Sequence, residues 1–167
     1  MSSSCFAKLG FLGEEAGTVF SQTVEYALRA AVTLASIPGR RWTVREIAET
    51  SRAPLHYLSK ILQSLAKAGL VASVRGLHGG YVLTRAPEDI SVLDVVTAIE
   101  PIPRVRRCPL GLKEHASGLC PLHRRLDEAA ASVEASMRAT SLAELVHEPG
   151  PSSPLCLRAE AGAVWRS

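Results

Sequence analysis

Residues 44–83 read VREIAETSRAPLHYLSKILQSLAKAGLVASVRGLHGGYVL, and this stretch decides the fold. Thr43 and Glu46 stand at capping-box spacing, so a helix starts after Thr43 with Val44, Ile47 and Ala48 turned inward. Ser51-Arg52-Ala53 makes a turn. Pro54 suits the first position of the next helix, whose buried stripe is Leu55, Leu58, Ile61, Leu62 and Leu65. Gly69 ends that helix at a left-handed position. Leu70–Val74 and Tyr81–Thr84 have strand character. The tip between them, Arg75-Gly76-Leu77-His78-Gly79-Gly80, is rich in glycine, which permits positive φ and close backbone approach. Helix, turn, helix and hairpin in that order is the layout of a winged helix-turn-helix.

Working outward, Thr23–Ile37 carries Val24, Ala27, Leu28, Ala31, Leu34 and Ala35 at three- and four-residue steps, a helix stopped by Pro38-Gly39. Ser91 and Asp94 cap another helix with Val92, Val95, Val96 and Ile99 on its stripe, and Pro101 to Pro103 break it. Arg104–Leu119 is a loop rich in Arg, Gly and Cys. A long helix follows over Leu122–Met137. Its apolar seam of Leu122, Leu126, Ala129, Val133 and Met137 is narrow, as helix pairing requires. Ser141 and Glu144 cap a last short helix holding Leu142 and Leu145. The expected fold is mostly α with a small β-hairpin: a winged helix-turn-helix plus a long C-terminal dimerisation helix. The expected organisation is a disordered extension over 1–19, which a misread start codon at Val19 would explain, and a DNA-binding domain over 20–103. A Cys/Arg-rich metal loop over 104–121, the dimerisation and cap helices over 122–147, and a disordered tail over 148–167 complete it.

The 167 residues are 47% hydrophobic and 21% charged, which suits one compact domain with an added element and needs no staple. A formal net charge of +3 does not by itself demand a nucleic-acid partner. The distribution says more: Arg40, Arg41, Arg45, Arg52, Lys60, Lys67, Arg75 and Arg85 all fall in or beside the quoted stretch. The sequence has no apolar run long enough to span a membrane and a poor secretory signal at its start, so the expected location is the cytoplasm. Four cysteines there are thiols or metal ligands before they are disulfides. The chain has no phosphate-cradling G-x-x-x-x-G-K and no nucleophile elbow. Gly76–Gly80 follows a strand without opening a helix, so a dinucleotide fingerprint fails on context, and an enzyme is not expected.

Duplex DNA is the expected partner. A helix fits the major groove and must present hydrogen-bonding groups to base edges on its outer face. His56, Tyr57, Ser59, Lys60, Gln63 and Lys67 form that face. His56, Ser59 and Lys60, with Gln63 beside them, are the candidates for base edges. Tyr57, Arg45 and Arg52 are candidates for phosphates, and Arg75 and His78 for the minor groove. The competing reading is a winged helix serving as a protein-interaction scaffold. A second constellation lies in CPLGLKEHASGLCPLHRRLDEA, residues 108–129. Cys108, Cys120 and His123 are soft or borderline ligands that favour an iron–sulfur cluster or zinc over calcium or magnesium. The nearby Arg104, Arg106, Arg107, Arg124 and Arg125 are expected to lower the thiol pKa. Two other readings stay open: ordinary thiols with no metal, or a structural zinc held by Cys108, His115, Cys120 and His123. Cys5 and Cys156 are given no role.

Taken together these stretches resemble the Rrf-type family of bacterial winged-helix regulators, the IscR- and NsrR-like proteins. The likeness rests on SQTVEYALRA (residues 21–30), Tyr57-Leu58, Leu65 to Val71, SVRG (73–76), Gly79-Gly80-Tyr81, Ser91 to Glu100 and Ser141 to Leu145. It spans about Phe20 to Val146. The resemblance implies a homodimeric regulator addressing a pseudo-palindromic operator. It also implies an iron–sulfur cluster on three loop cysteines plus a histidine or acidic residue near the first helix. Cys108, Cys120 and His123 match those positions, and Glu25 matches the acidic one. The middle cysteine is missing, with Glu114 and His115 in its region. That ligand set implies [2Fe–2S] over [4Fe–4S].

Overall fold

The computed structural model describes residues 20–76, 79–111 and 118–148. The expected disordered ends, the wing-tip His78, and Glu114 and His115 of the loop lie outside the described residues. Six helices and one hairpin are described: α1 (Gln22–Ala35), α2 (Val44–Ser51), α3 (Leu55–Lys67), β1 (Val71–Val74), β2 (Gly80–Leu83), α4 (Val92–Ile99), α5 (Pro121–Ala139) and α6 (Leu142–His147). The fold class is the expected one. The sequence reading passed over a short 3-10 turn at Pro87–Asp89.

Helix α1 is the hub, in contact with α2, α3, α4 and α6. It therefore needs more than the single stripe its periodicity suggests. Ala30, Val32 and Thr33 are buried as well as Val24, Ala27, Ala31, Leu34 and Ala35. Small side chains let four neighbours approach one helix. Thr33 is tolerated in the core because its hydroxyl donates to the Arg29 carbonyl at 2.9 Å. Around α1 the core is filled by Ile47, Leu58, Ile61, Leu62, Leu65, Ile90, Val95 and Leu142, each 1% exposed or less.

Both capping boxes form. The Thr43 hydroxyl accepts from the Glu46 amide at 3.2 Å, and Glu46 returns the bond by accepting from the Thr43 amide at 2.7 Å. Ser91 and Asp94 do the same for α4. Helix α3 ends in a Schellman turn: the Gly69 amide donates to Ala66 and the Leu70 amide to Leu65, with Gly69 at φ +72°. Pro54 corrects the reading of that helix's start. It is the N-cap, with extended ψ of 132°, and Leu55 is the first helical residue. Leu55 is also not on the buried stripe. It is 54% exposed, because the helix begins beyond the edge of the core rather than over it.

The hairpin pairs antiparallel with Val71 opposite Leu83 and Val74 opposite Gly80, one residue later than expected on β1 and one earlier on β2. Leu70 is drawn into the Schellman turn, while the Thr84 hydroxyl and amide bond back to Gly69 and Leu70. Trp42, to which the sequence reading gave no part, adds a third strand of one residue by exchanging both backbone bonds with Tyr81, at 2.9 and 2.7 Å. Gly80 is required there, since a Cβ would stand 2.7 Å from the Trp42 carbonyl oxygen. A second such bridge joins Ile90 and Val92 to Thr140 and Leu142, and pins the α5–α6 junction onto the start of α4.

Candidate nucleic-acid interface and metal centre

The outer face of α3 is as expected: His56, Tyr57, Ser59, Lys60, Gln63 and Lys67 are all exposed, opposite the buried Leu58, Ile61, Leu62 and Leu65. Tyr57 is held by its neighbours. Its ring lies 4.4 Å from that of His56 and 5.6 Å from that of Tyr26 on α1, which braces α3 against the hub. Arg52 caps α2 in the left-handed conformation, φ 53°, and makes the sharp turn between the two helices without a glycine. Arg75 is exposed where β1 leaves the sheet.

Several cations in or beside the quoted stretch have partners within the chain. Arg40 stacks 3.9 Å over the Trp42 ring and donates to Glu46 at 2.9 Å, so it holds the strand and the α2 cap. Arg85 donates to the Asp89 carbonyl, and Arg45 pairs with Glu49 at 3.0 Å in full view of solvent. An exposed pair of that kind is weak and easily exchanged for a phosphate. Arg41, Lys60, Lys67 and Arg75 make no ion pair among the described residues.

The second constellation also converges. Cys120 is the N-cap of α5 and Pro121 its first residue, which places His123 one turn along and over the same end of the helix. The His123 Nδ1 lies 3.1 Å from the Cys120 Sγ and 3.5 Å from the Cys108 Sγ. All three ligand atoms fall within 4.8 Å of one another, and the cysteines are not joined in a disulfide. The Cys120 thiol is drawn down from 9.0 to about 7. The backbone N–H of His123 is the main cause, although it closes no cap hydrogen bond of normal geometry. The His123 ring and the Cys108 thiol add to the effect. Of the neighbouring arginines expected to do this, Arg104, Arg124 and Arg125 are paired with carboxylates. Arg104 grips Asp127 with two bonds of 2.7 and 2.8 Å and Glu134 with one of 2.9 Å, and Arg125 pairs with Glu128. The Arg104 grip holds the Asp127 carboxyl below its ordinary value, and the Val105 amide adds a bond to it. The loop is thus tied to α5 at both ends, by Arg104 where it begins and by Cys120 where it closes.

Glu25 is not part of this group within one chain. It sits on α1, ion-paired with Arg29 at 2.9 Å. The donors that do gather suit the soft and borderline metals, zinc or iron with sulfide, and no hard-ion site. The sequence reading missed three parts of the arrangement: the Trp42 strand, the Arg104–Asp127–Glu134 tie, and the exposure of Leu55. Each depends on contacts between distant segments, which periodicity does not report.

Helix α5 differs from the rest in having no buried residue at all. Of its expected seam, Met137 packs on Val24, Val92 and Val96, while Leu122 and Leu126 are 63% and 53% exposed. Between them Ala129 and Val133 line a cleft of about 400 Å³ with Phe20, Val24, Pro101 and Ile102. Among the described residues no helix is long and apolar enough to cross a membrane.

Residues 20–148 match the Rrf2 family, described as iron-dependent transcriptional regulators. The chain is 30% identical, over 132 residues, to an HTH-type transcriptional regulator of Aquifex aeolicus, which covers 77% of this chain and 92% of the relative. The structure is similar to that of CymR, the global cysteine regulator of B. subtilis, with a TM-score of 0.66 and 29% identity over 80% of this chain and 100% of that one. It is also similar to T. potens IscR, with a TM-score of 0.63 and 25% identity over 90% and 93% of the two chains.

Proposed function

We propose a function for this chain from one premise: it belongs to the Rrf2 family of winged-helix transcriptional regulators. Such proteins regulate transcription and are not enzymes. On our reading this one is a cytoplasmic homodimer that represses from a pseudo-palindromic DNA operator. Its affinity answers to redox state, iron or nitric oxide through a [2Fe–2S] cluster. The observation that carries the sensing is the gathering of Cys108, Cys120 and His123 at the start of α5.

In DNA recognition, α3 enters the major groove, where His56, Ser59, Lys60 and Gln63 meet base edges. Tyr57, Arg45 and Arg52 take phosphates. Arg75, and in sequence His78, are the candidates for the minor groove. The dimer is supported by the α5 seam. Leu122 and Leu126 are exposed on the helix whose Ala129 and Val133 line an apolar cleft, so two copies related by a two-fold axis cover each other's surfaces. Two reading helices then face one operator.

The donor set fits a cluster: Cys108, Cys120 and His123 would hold it, with Glu25 of the partner subunit as the fourth ligand. A bound cluster would supply a one-electron couple and iron open to nitric oxide. The chain's own residues supply the coupling. Cys120 caps α5, and Arg104 ties the loop to Asp127 and Glu134, so a change at the thiols is delivered to the end of that helix. Helix α5 packs on α4, and α4 on α3, which links the loop to the reading helix. Anaerobic purification tests this. Coloured protein containing iron and acid-labile sulfide is expected, with Cys108→Ala or Cys120→Ala bleaching it and altering operator affinity. Colourless, metal-free protein that binds its operator normally would end the sensing proposal, and stoichiometric zinc would reassign the donors to a structural site.

A further inference from the structure

We propose that Leu55 recognises the 5-methyl group of a thymine and so sets base preference at one position of each operator half-site; this rests on the DNA-reading function proposed above. Leu55 is the first residue of α3 and is 54% exposed, whereas the other large aliphatic side chains of that helix, Leu58, Ile61, Leu62 and Leu65, are 1% exposed or less. Ala53, two residues before it, is 4% exposed, so the chain is anchored shortly before the leucine emerges. Helical side chains lean toward the N-terminus, which carries Leu55 past the first turn instead of back over the core. Ser59, one turn later, lies on the same flank and is exposed.

Position and chemistry then narrow what Leu55 can meet. The N-terminal residues of a reading helix are those that reach base edges. On the floor of the major groove the thymine methyl is the apolar group, and the remaining features are hydrogen-bond donors and acceptors. A leucine has nothing to offer the latter and complements the former. Its exposure costs apolar surface in water that a groove contact would cover.

The test uses the full chain and duplexes selected by it from a random pool. Thymine should be enriched at one position in each half-site. Replacing that thymine by uracil removes only the methyl and should weaken binding about fourfold per half-site. Leu55→Ala should bind the thymine and uracil duplexes equally, with a melting temperature near that of the parent because the side chain is exposed. Ser59→Ala should keep the thymine-to-uracil ratio. If the ratio survives in Leu55→Ala, or if selected sites carry no fixed thymine, Leu55 does not have this role even though the protein reads DNA. A pool from which nothing is enriched would overturn the DNA-reading function itself, and this assignment with it.

Discussion

The body around α1 and the helix α5 are built on opposite terms. In the body, α1 is buried on most of its surface, the helices α2 and α4 are closed by reciprocal capping boxes, and the hairpin is locked by Trp42. In α5, nineteen residues form a helix without one buried side chain, held by Met137 at one end, the Arg104 tie midway and the Cys120–His123 contact at the other. Helix stability in water comes mainly from packing an apolar face, so a helix of this length with an open seam is incomplete until another surface covers it. The contrast separates two tasks. The body holds the outer face of α3 rigid, and α5 keeps an open seam that a second copy would complete in the proposed dimer.

The largest effects should break the two regions in different ways. Leu62→Ala removes a fully buried side chain and should cost about 2–5 kcal/mol of folding stability, measured by denaturant unfolding. Leu126→Asp touches a residue that is 53% exposed, so the far-ultraviolet circular dichroism should be retained. Sedimentation should instead shift to the monomer, and operator affinity should fall by about a hundredfold or more as one of two reading heads is lost. A Leu126→Asp protein that stays dimeric would break the comparison, because the seam would then not be what joins the copies.

Sequence made the body legible and left α5 half-read, for a physical reason. Caps and stripes are local, so Thr43–Glu46, Ser91–Asp94, Gly69 and the faces of α3 could be placed from residue type and spacing. Leu55 fits the helical period and was placed inward. Yet a period cannot say where the core stops, and the helix overhangs it by one residue. Trp42 reads as a lone aromatic in a linker until Tyr81, far along the chain, pairs with it. Among the candidate metal ligands, Cys120 and His123 are readable because they share one helical turn. Cys108 comes from a distant segment of the loop, which begins at the Arg104 tie, and of the arginines that promise to activate the thiols Arg104, Arg124 and Arg125 are drawn to carboxylates.

A middle-sized effect sharpens the view of the body. Thr43→Ala should lose about 1 kcal/mol by removing the α2 cap. Part of that bond depends on the Glu46 carboxylate, held below its ordinary value of 4.5 chiefly by the Thr43 amide and then by its hydroxyl. A lowered carboxyl stabilises the fold above its unfolded value, and the contribution fades as pH falls through the folded value. The stability gap between parent and Thr43→Ala should therefore be full above about pH 4.5 and narrow below it. Thr43→Ala keeps the Thr43 amide and removes only the hydroxyl, so a gap unchanged down to pH 3 would show that the hydroxyl–carboxylate bond contributes little.

The smallest effect is chemical and lies at the far end of α5. In metal-free protein, alkylation of Cys120 by iodoacetamide should rise through a midpoint near pH 7 instead of 9.0. The largest cause is the His123 backbone amide at the helix start, which His123→Ala keeps, while the ring it removes is a lesser one. The variant's midpoint should thus move up only part of the way. A complete return to the ordinary value would assign the activation to the imidazole and leave the helix end out of it. Because this thiol meets the His123 ring at the start of a helix that the body does not bury, its alkylation should loosen α5 while the melting of the body stays put. Equal losses in both would mean that the Arg104 tie and the Thr140–Val92 bridge transmit strain across the join, and that the two regions are less separate than their burial suggests.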